Sequence, residues 1–190
     1  MSKIVLASAS PRRQELLKMM GIKDFIIAPD KTEEVLCVGL TPAQTVCKTA
    51  LNKAKNVAAF FKPEDIIIAA DTEVFLHESA FGKPDSKAHA TEMLRELSGK
   101  KHRVFTGIAI KHGENIITRA EETAVFFREL NDREIFAYVQ TGEPMDKAGA
   151  YGAQGKGAVF IERLEGDFFN VMGLPVCTLT LMLRSLGVNI

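Results

Sequence analysis

The sequence predicts an α/β fold built on a mixed β-sheet, because short apolar segments typical of strands alternate with amphipathic helical segments. The run Ile66–Ala70 is continuously apolar, as expected for a strand buried on both faces. Segments 102–110 and 116–127 alternate around a polar turn, which indicates paired antiparallel strands. The 190 residues can bury a substantial core, and we expect residues 1–190 to form a single domain.

The other elements follow from the same patterns. We expect helices at residues 11–20, 41–61, 86–97, 131–140 and 176–186, and further strands at residues 3–7, 25–28 and 158–164. The first helix has Ser10 at its N-cap, Pro11 at its first position and Gly21 beyond its end, which are favoured residue types there. The connection 141–157 is rich in glycine and charge, and such long loops are often functional.

The composition restricts the class of protein. Hydrophobic residues make up 46% and charged residues 25%, as in ordinary globular proteins. Lys plus Arg equals Asp plus Glu at 24 each, so no overall field attracts nucleic acid or an anionic membrane. No apolar run reaches the length of a membrane span, and the N-terminus lacks the layout of a signal peptide. The 3 cysteines form no CxxC pair, so we expect reduced thiols and a cytoplasmic protein.

A first candidate site lies in the segment Leu6–Arg13. Ser8 and Ser10 precede a helix whose first turn carries Arg12 and Arg13. The N–H groups and the dipole of a helix start attract phosphate, whereas arginine alone is electrostatically disfavoured there. Two adjacent arginines therefore indicate an anion site. A capped helix with two solvated arginines stays open as the alternative.

Asp71 follows the run Ile66–Ala70, so we expect it at the carboxyl end of a buried strand, where α/β sheets bind ligands. A carboxylate there, next to Thr72, can ligate Mg²⁺ or take a proton from water. Mg²⁺ uses only one or two protein carboxylates, and the acidic loop after the second strand offers Glu33 or Glu34 as the other. The alternative for Asp71 is a turn-forming role after the strand.

Three further residues are candidates for binding an anion or a base. Lys53 lies in an apolar helical stripe, where it either snorkels at the core edge or extends into the same anion site. Lys83 lies in a Gly-Lys-Pro turn. Gln154, in the glycine-rich loop, is able to read a base edge because its amide both donates and accepts. The chain has no GxxxxGK[ST] and no GxGxxG after a strand, which excludes a P-loop and a dinucleotide fingerprint.

Together and in order, these motifs resemble the Maf family of nucleotide pyrophosphatases. The matching segments are Ser8–Arg13, Lys53-Ala54, Ala70–Thr72, Gly82–Pro84, Asp146–Gly155 and Gly166–Pro175. They span nearly the whole chain, and the ordered set is far more specific than any one motif.

The resemblance implies an elongated mixed sheet flanked by helices, with two lobes and a central cleft, similar to inosine triphosphate pyrophosphatases. It also implies hydrolysis of nucleoside triphosphates at the α-phosphate with Mg²⁺ or Mn²⁺. The family's catalytic aspartate corresponds to Asp71, with Glu33 as a second metal ligand. Its substrate-contacting and specificity positions correspond to Ser8, Arg12, Arg13, Glu33, Lys53, Thr72, Lys83 and Gln154.

Within the family, Arg12-Arg13, Asp71-Thr72 and the Ala-Tyr-Gly-Ala-Gln stretch resemble the branch acting on dTTP and UTP. Hydrolysis of 7-methyl-GTP is the alternative within the family. Alternatives of other classes are a nucleotide-binding regulator of cell division without catalysis and another phosphohydrolase. Two positions depart from the family pattern: Glu73, which adds a carboxylate near the expected metal, and Phe168-Phe169. We expect a nucleotide as the partner, no nucleic acid and no membrane, with a homodimer left open.

Overall fold

The computed structural model describes residues 2–32 and 39–188. Within these ranges, the strands are β1 (Ile4–Leu6), β2 (Phe25–Ile27), β3 (Ile66–Leu76), β4 (Ser79–Phe81), β5 (Lys101–His112), β6 (Asn115–Phe127) and β7 (Ile161–Glu165). The helices are α1 (Pro11–Met19), α2 (Pro42–Ala58), α3 (Lys87–Leu97), α4 (Asp132–Gln140), α5 (Phe168–Met172) and α6 (Val176–Ser185). Short 3₁₀ turns occupy much of the connection between α4 and β7. None of the helices in these ranges combines the length and apolar character needed to cross a membrane.

The strands form one 7-stranded sheet in the order β2-β1-β3-β5-β6-β7, with β4 paired to β3. Strand β1 pairs in parallel with β2 and β3, whereas the β3–β4 and β6–β7 pairs are antiparallel. The sheet is therefore mixed, and helices alternate with its strands along the chain. Both features confirm the predicted α/β class.

The chain divides into two compact units. The first contains the residues up to Asp71, residues 106–121 and the residues from Gly173 onward; the second contains residues 72–105 and 122–172. Strand β3 passes from the first unit to the second between Asp71 and Thr72.

In the first unit, α2 packs closely on strands β1, β3 and β5 through small side chains. The core here consists of Val5, Ala7, Ala50, Ala54, Val57, Ile67, Ala69 and Ala109. A Cβ atom at Gly107 would lie 2.3 Å from the backbone carbonyl of Val46, so only glycine allows this approach. Helix α2 begins with a capping box, in which Thr41 and Gln44 exchange hydrogen bonds.

In the second unit, aromatic rings make up much of the core. The ring of Phe127 lies 4.7 Å from that of Tyr151 and 4.8 Å from that of His102, both edge-on. The Nε2 atom of His102 is 2.9 Å from the hydroxyl of Tyr151. Burial lowers the pKa of His102 to about 4, so this histidine is neutral at physiological pH.

The predicted strand ending at Ala70 is wrong in one respect that affects the site. Strand β3 continues through Asp71 to Leu76, and its segment Val74–Leu76 pairs with β4, a strand that the pattern did not predict. Asp71 is therefore a mid-strand residue and not a turn former.

Smaller boundary errors have local causes. Helix α2 ends at Ala58 and not near residue 61, since the next amides bond three residues back and tighten the chain. Strand β7 begins at Ile161, because residues 156–160 form a 3₁₀ turn. Helix α5 was not predicted; it is only 5 residues long, too short for a periodic pattern.

Candidate active site

In the first unit, the end of β1 lies beside the first half of β3. Leu6 pairs with Ile68 on one side and with Ile27 of β2 on the other. Continuing the parallel register places Ser8 level with Ala70, so Asp71 lies just beyond the ends of its neighbour β1 and of β2, which pairs with β1. Ligands bind at such carboxyl ends of parallel strands, so Asp71 stays a candidate site residue although β3 itself continues.

Arg13 is anchored in the chain segment that follows β1. Its Nη1 donates to Ser8 Oγ at 3.1 Å, and its Nε donates to the carbonyl of Gly173 at 2.8 Å. Ser8 is buried, and its Oγ also accepts the N–H of Ser10 at 3.2 Å. Arg12 is half-buried in the same helical turn. The first turn of α1 contains no acidic residue, and Arg12 and Arg13 bring two guanidinium groups to this helix start.

Lys53 and Asp71 form an ion pair inside the first unit. Lys53 Nζ lies 2.7 Å from Asp71 Oδ1, and the two side chains are only 18% and 11% exposed. Lys53 stands on α2 between the buried Ala50, Ala54 and Val57, which hold the helix against the sheet. Opposite charges at this distance offset part of the cost of removing each from water. The structure thus brings together two residues that the sequence marked separately.

One turn further along α2, Asn56 binds a second carboxylate, Asp30. Asn56 Nδ2 donates to Asp30 Oδ2 at 3.0 Å, and the N–H of Thr32 donates to Asp30 Oδ1 at 3.1 Å. Partial burial raises the pKa of Asp30, but these hydrogen bonds and the charge of Lys53 outweigh it and lower the pKa overall. Asp30 was not singled out from the sequence, although Asp-x-Thr is a favoured turn sequence.

Of the two carboxylates expected to bind a metal ion, Asp71 lies among the described residues. Glu33, the predicted second ligand, and Glu34 lie outside the described residues. In the described part of the chain, no three His, Cys, Asp or Glu side chains gather as a metal site. The hard carboxylate oxygens of Asp71 still fit Mg²⁺ or Mn²⁺, since these ions take one or two carboxylates and complete their shell with phosphate and water.

The remaining predicted residues belong to the second unit. Thr72 and Glu73 are half-buried on β3, directly after Asp71. Lys83 is exposed in the turn after β4, and the carbonyl of its neighbour Gly82 accepts the N–H of Gly149 at 3.1 Å. The Gly-Lys-Pro turn is therefore bonded to the glycine-rich loop.

Gln154 is exposed at the surface of that loop, between turns whose backbone is held by hydrogen bonds. The carboxylate of Glu143 accepts the N–H groups of Lys156 and Gly157 at 3.0 and 3.3 Å. The sequence pattern missed Glu143; the only available signal was that it opens a stretch dense in glycines.

The chain is similar to characterised proteins over its full length. The profile of a family described as Maf-like protein matches residues 3–186. A dTTP/UTP pyrophosphatase of Moorella thermoacetica is 48% identical over 193 residues, covering 100% of this chain and 98% of that protein. Proteins of the same name from Methanosarcina mazei and Bacillus anthracis are 46% and 44% identical, covering 100% of this chain and 97% and 98% of theirs. A solved HAM1 protein from Coxiella burnetii shares the fold, with a TM-score of 0.55 at 16% identity over 97% of this chain and 100% of that one.

Proposed function

The chain belongs to the Maf family, and from that premise we propose that it hydrolyses nucleoside triphosphates, with dTTP and UTP preferred, to the monophosphate and pyrophosphate. The observation that carries the proposal is the ion pair of Lys53 with Asp71, 2.7 Å apart where β1 and β2 end. The names of the similar proteins support the same substrates.

The reaction requires a water molecule to replace pyrophosphate on the α-phosphorus. Asp71 accepts a proton from the water molecule while the oxygen of that water bonds to the α-phosphorus. The bond from that phosphorus to the α,β-bridging oxygen breaks, and pyrophosphate leaves with the electron pair. Lys53 holds the Asp71 carboxylate in place, at the 2.7 Å contact that the fold already provides.

Positive groups bind the triphosphate and offset its growing charge during the displacement. Arg12 and Arg13 at the start of α1, together with Lys53 and Lys83, take this role, with Ser8 as a hydroxyl donor beside them. The anchoring of Arg13 by Ser8 and Gly173 supports its part, because a guanidinium held at two points loses little entropy when phosphate binds.

In this proposal, Asp71 and Glu33 would hold a Mg²⁺ or Mn²⁺ ion. When bound, such an ion neutralises phosphate charge and lowers the pKa of bound water. Glu73 is an additional carboxylate on the same strand. Removal of divalent ions with a chelator should therefore abolish turnover, and added Mg²⁺ or Mn²⁺ should restore it.

In this proposal, Gln154 and Thr72 select the base of the nucleotide. The amide of Gln154 donates and accepts side by side, which matches the O4 and N3–H groups of uracil and thymine. Gln154 is exposed on the glycine-rich loop, which supports this role. We propose that residues 1–190 act as one enzyme in the cytoplasm, in keeping with cysteines that form no CxxC pair.

A panel of nucleoside triphosphates, assayed for released product, tests the function. Inorganic pyrophosphatase added to a phosphate assay should greatly increase the signal from dTTP and UTP, because pyrophosphate is the primary product. Phosphate release that is independent of this addition would indicate a different phosphohydrolase. Binding without turnover would indicate a nucleotide-binding regulator. A higher kcat/KM for 7-methyl-GTP or a purine nucleotide would overturn the preference for dTTP and UTP and leave the pyrophosphatase function intact.

A further inference from the structure

The loop that carries Gln154 is held by a carboxylate from its own beginning. Glu143 Oε2 accepts the N–H of Lys156 at 3.0 Å, and Glu143 Oε1 accepts the N–H of Gly157 at 3.3 Å. Both bonds span 13 or 14 residues of chain, so they close the loop across its whole length. They leave Gln154 two residues before the first bonded amide.

Tyr138, on α4, fastens the other side of the same loop. Its hydroxyl donates to Glu143 Oε1 at 3.0 Å and accepts the N–H of Gly152 at 3.0 Å. The amides bonded on either side of Gln154 are therefore those of Gly152 and Lys156. We call Tyr138 and Glu143 the clasp. The ring of Tyr138 packs edge-on against Phe160 at 4.9 Å, which fixes the hydroxyl from the core side.

The loop sequence is adapted to the clasp. A Cβ atom at Gly155 would lie 2.3 Å from Glu143 Oε1, so this position next to Gln154 has no room for a side chain while the carboxylate stays in place. Lys147 adds a further tie, since its Nζ donates to the carbonyl of Glu143 at 2.7 Å. Burial raises the pKa of Glu143, but the two amide bonds, the Tyr138 bond and the charge of Lys147 lower it overall, so the clasp carboxylate is ionised at neutral pH.

We propose that Glu143 and Tyr138 are positioning residues for nucleotide selectivity, which act by holding residues 152–157 so that Gln154 meets the base. This inference rests on the proposed function. Neither residue needs to touch the nucleotide. An exposed amide on a mobile loop would lose much of its binding free energy in ordering the loop, and the clasp removes that cost in advance.

The test combines Glu143→Gln with Gln154→Ala in a double-mutant cycle. Glu143→Gln keeps the size of the side chain but removes its charge and one acceptor oxygen. The measured quantity is the ratio of kcat/KM for UTP to that for GTP. Glu143→Gln should lower this ratio by about tenfold, a typical effect of misplacing one specific hydrogen bond. In the Gln154→Ala background it should cause no further change, because it acts through Gln154.

Two other variants separate positioning from general destabilisation. Tyr138→Phe keeps the ring and removes only the hydroxyl, so it should reproduce the loss of selectivity in weaker form. Glu162→Gln makes the same chemical change at an exposed glutamate on β7 and should leave the ratio unchanged. Hydrogen exchange followed by mass spectrometry should show faster exchange in peptides covering residues 152–157 for Glu143→Gln, and wild-type rates for Glu162→Gln.

The inference is overturned if Glu143→Gln preserves the UTP-to-GTP ratio, or lowers it equally with and without Gln154. A uniform loss of activity toward all nucleotides would likewise show that the clasp has only a structural role. If the wild-type protein cleaves no nucleoside triphosphate, the proposed function and the selectivity role fall together. Exchange in residues 152–157 would still decide whether the clasp holds the loop, because that measurement needs no turnover.

Discussion

The two units use carboxylates in opposite ways. In the first unit, Asp71 is paired with the ammonium of Lys53, a partner that also carries charge into the proposed site. In the second unit, the carboxylate oxygens of Glu143 accept hydrogen bonds from backbone N–H groups and a tyrosine hydroxyl, so this carboxylate fixes the shape of a loop. The difference predicts a division of labour between these carboxylates: loss of Asp71 should slow all substrates alike, and loss of Glu143 should alter their ranking.

The largest expected effect is that of Asp71→Asn. The change is nearly isosteric and removes both the proton acceptor and the anionic ligand, so kcat should fall by about 10²–10⁴-fold. The loss should be equal for UTP and GTP. Steady-state kinetics on both nucleotides measure it, with Asp24→Asn as a matched change at an exposed aspartate of the same unit. More than half of the parent rate in Asp71→Asn would remove this residue from the mechanism.

Arg13→Ala should lower kcat/KM by about 10- to 100-fold, the usual cost of losing a hydrogen bond to a charged group. KM should rise and kcat should fall together, because a phosphate clamp acts in the ground state and in the transition state. Arg184→Ala, at an exposed arginine of α6, is the control. A lower melting temperature with unchanged kinetics would mean that Arg13 serves only to join Ser8 to Gly173.

Gln154→Ala should change selectivity more than rate. An unpaired base edge costs about 1–3 kcal/mol, so the preference for UTP over GTP should shrink by roughly 5- to 150-fold. The kcat/KM ratio measures this, and Gln140→Ala provides an exposed glutamine of the second unit as the control. Equal losses of kcat/KM for UTP and GTP would contradict a role of Gln154 in selectivity.

The last prediction concerns the stability of the second unit at low pH and not its kinetics. Since burial lowers the pKa of His102 to about 4, the unfolded chain, with a histidine pKa near 6.5, binds a proton between these pH values that the folded chain does not. The free energy of unfolding should therefore fall by about 3 kcal/mol as the pH drops from 6.5 to 4, and this contribution is fully present above pH 6.5. Denaturant titrations across this window measure it. His102→Leu should flatten the slope, whereas His77→Asn at an exposed histidine should leave it unchanged.

Much of the fold could be predicted because its signals are local. Ser86 and Asn131 cap α3 and α4 through their own side chains, as expected of these residue types. The apolar run before Asp71 and the alternating segments of β5 and β6 likewise indicated strands that the structure contains. Each of these signals depends on residues within a few positions of one another, so a single sequence displays them.

The candidate site was predicted as a set of residues, largely through the family resemblance, but not as an arrangement. Its residue types marked Arg13, Lys53 and Asp71 as separate candidates. Nothing in the spacing of 18 residues between Lys53 and Asp71 indicates an ion pair, because the contact depends on how α2 packs against β3. Glu143 carried no signal of its own, since its partners are backbone amides and every residue except proline offers one.

The sequence by itself determined the class of fold, the helix starts and the chemical types available to bind a triphosphate, because propensity, capping and charge act over short stretches of chain. Only the tertiary structure decided that β3 runs on through Asp71, since the length of a strand depends on pairing with its neighbours, here β5 and β4. It also decided that Lys53 meets Asp71 and that Glu143 closes the loop around Gln154. These contacts join residues 13 to 18 positions apart, and their formation depends on the packing of whole elements.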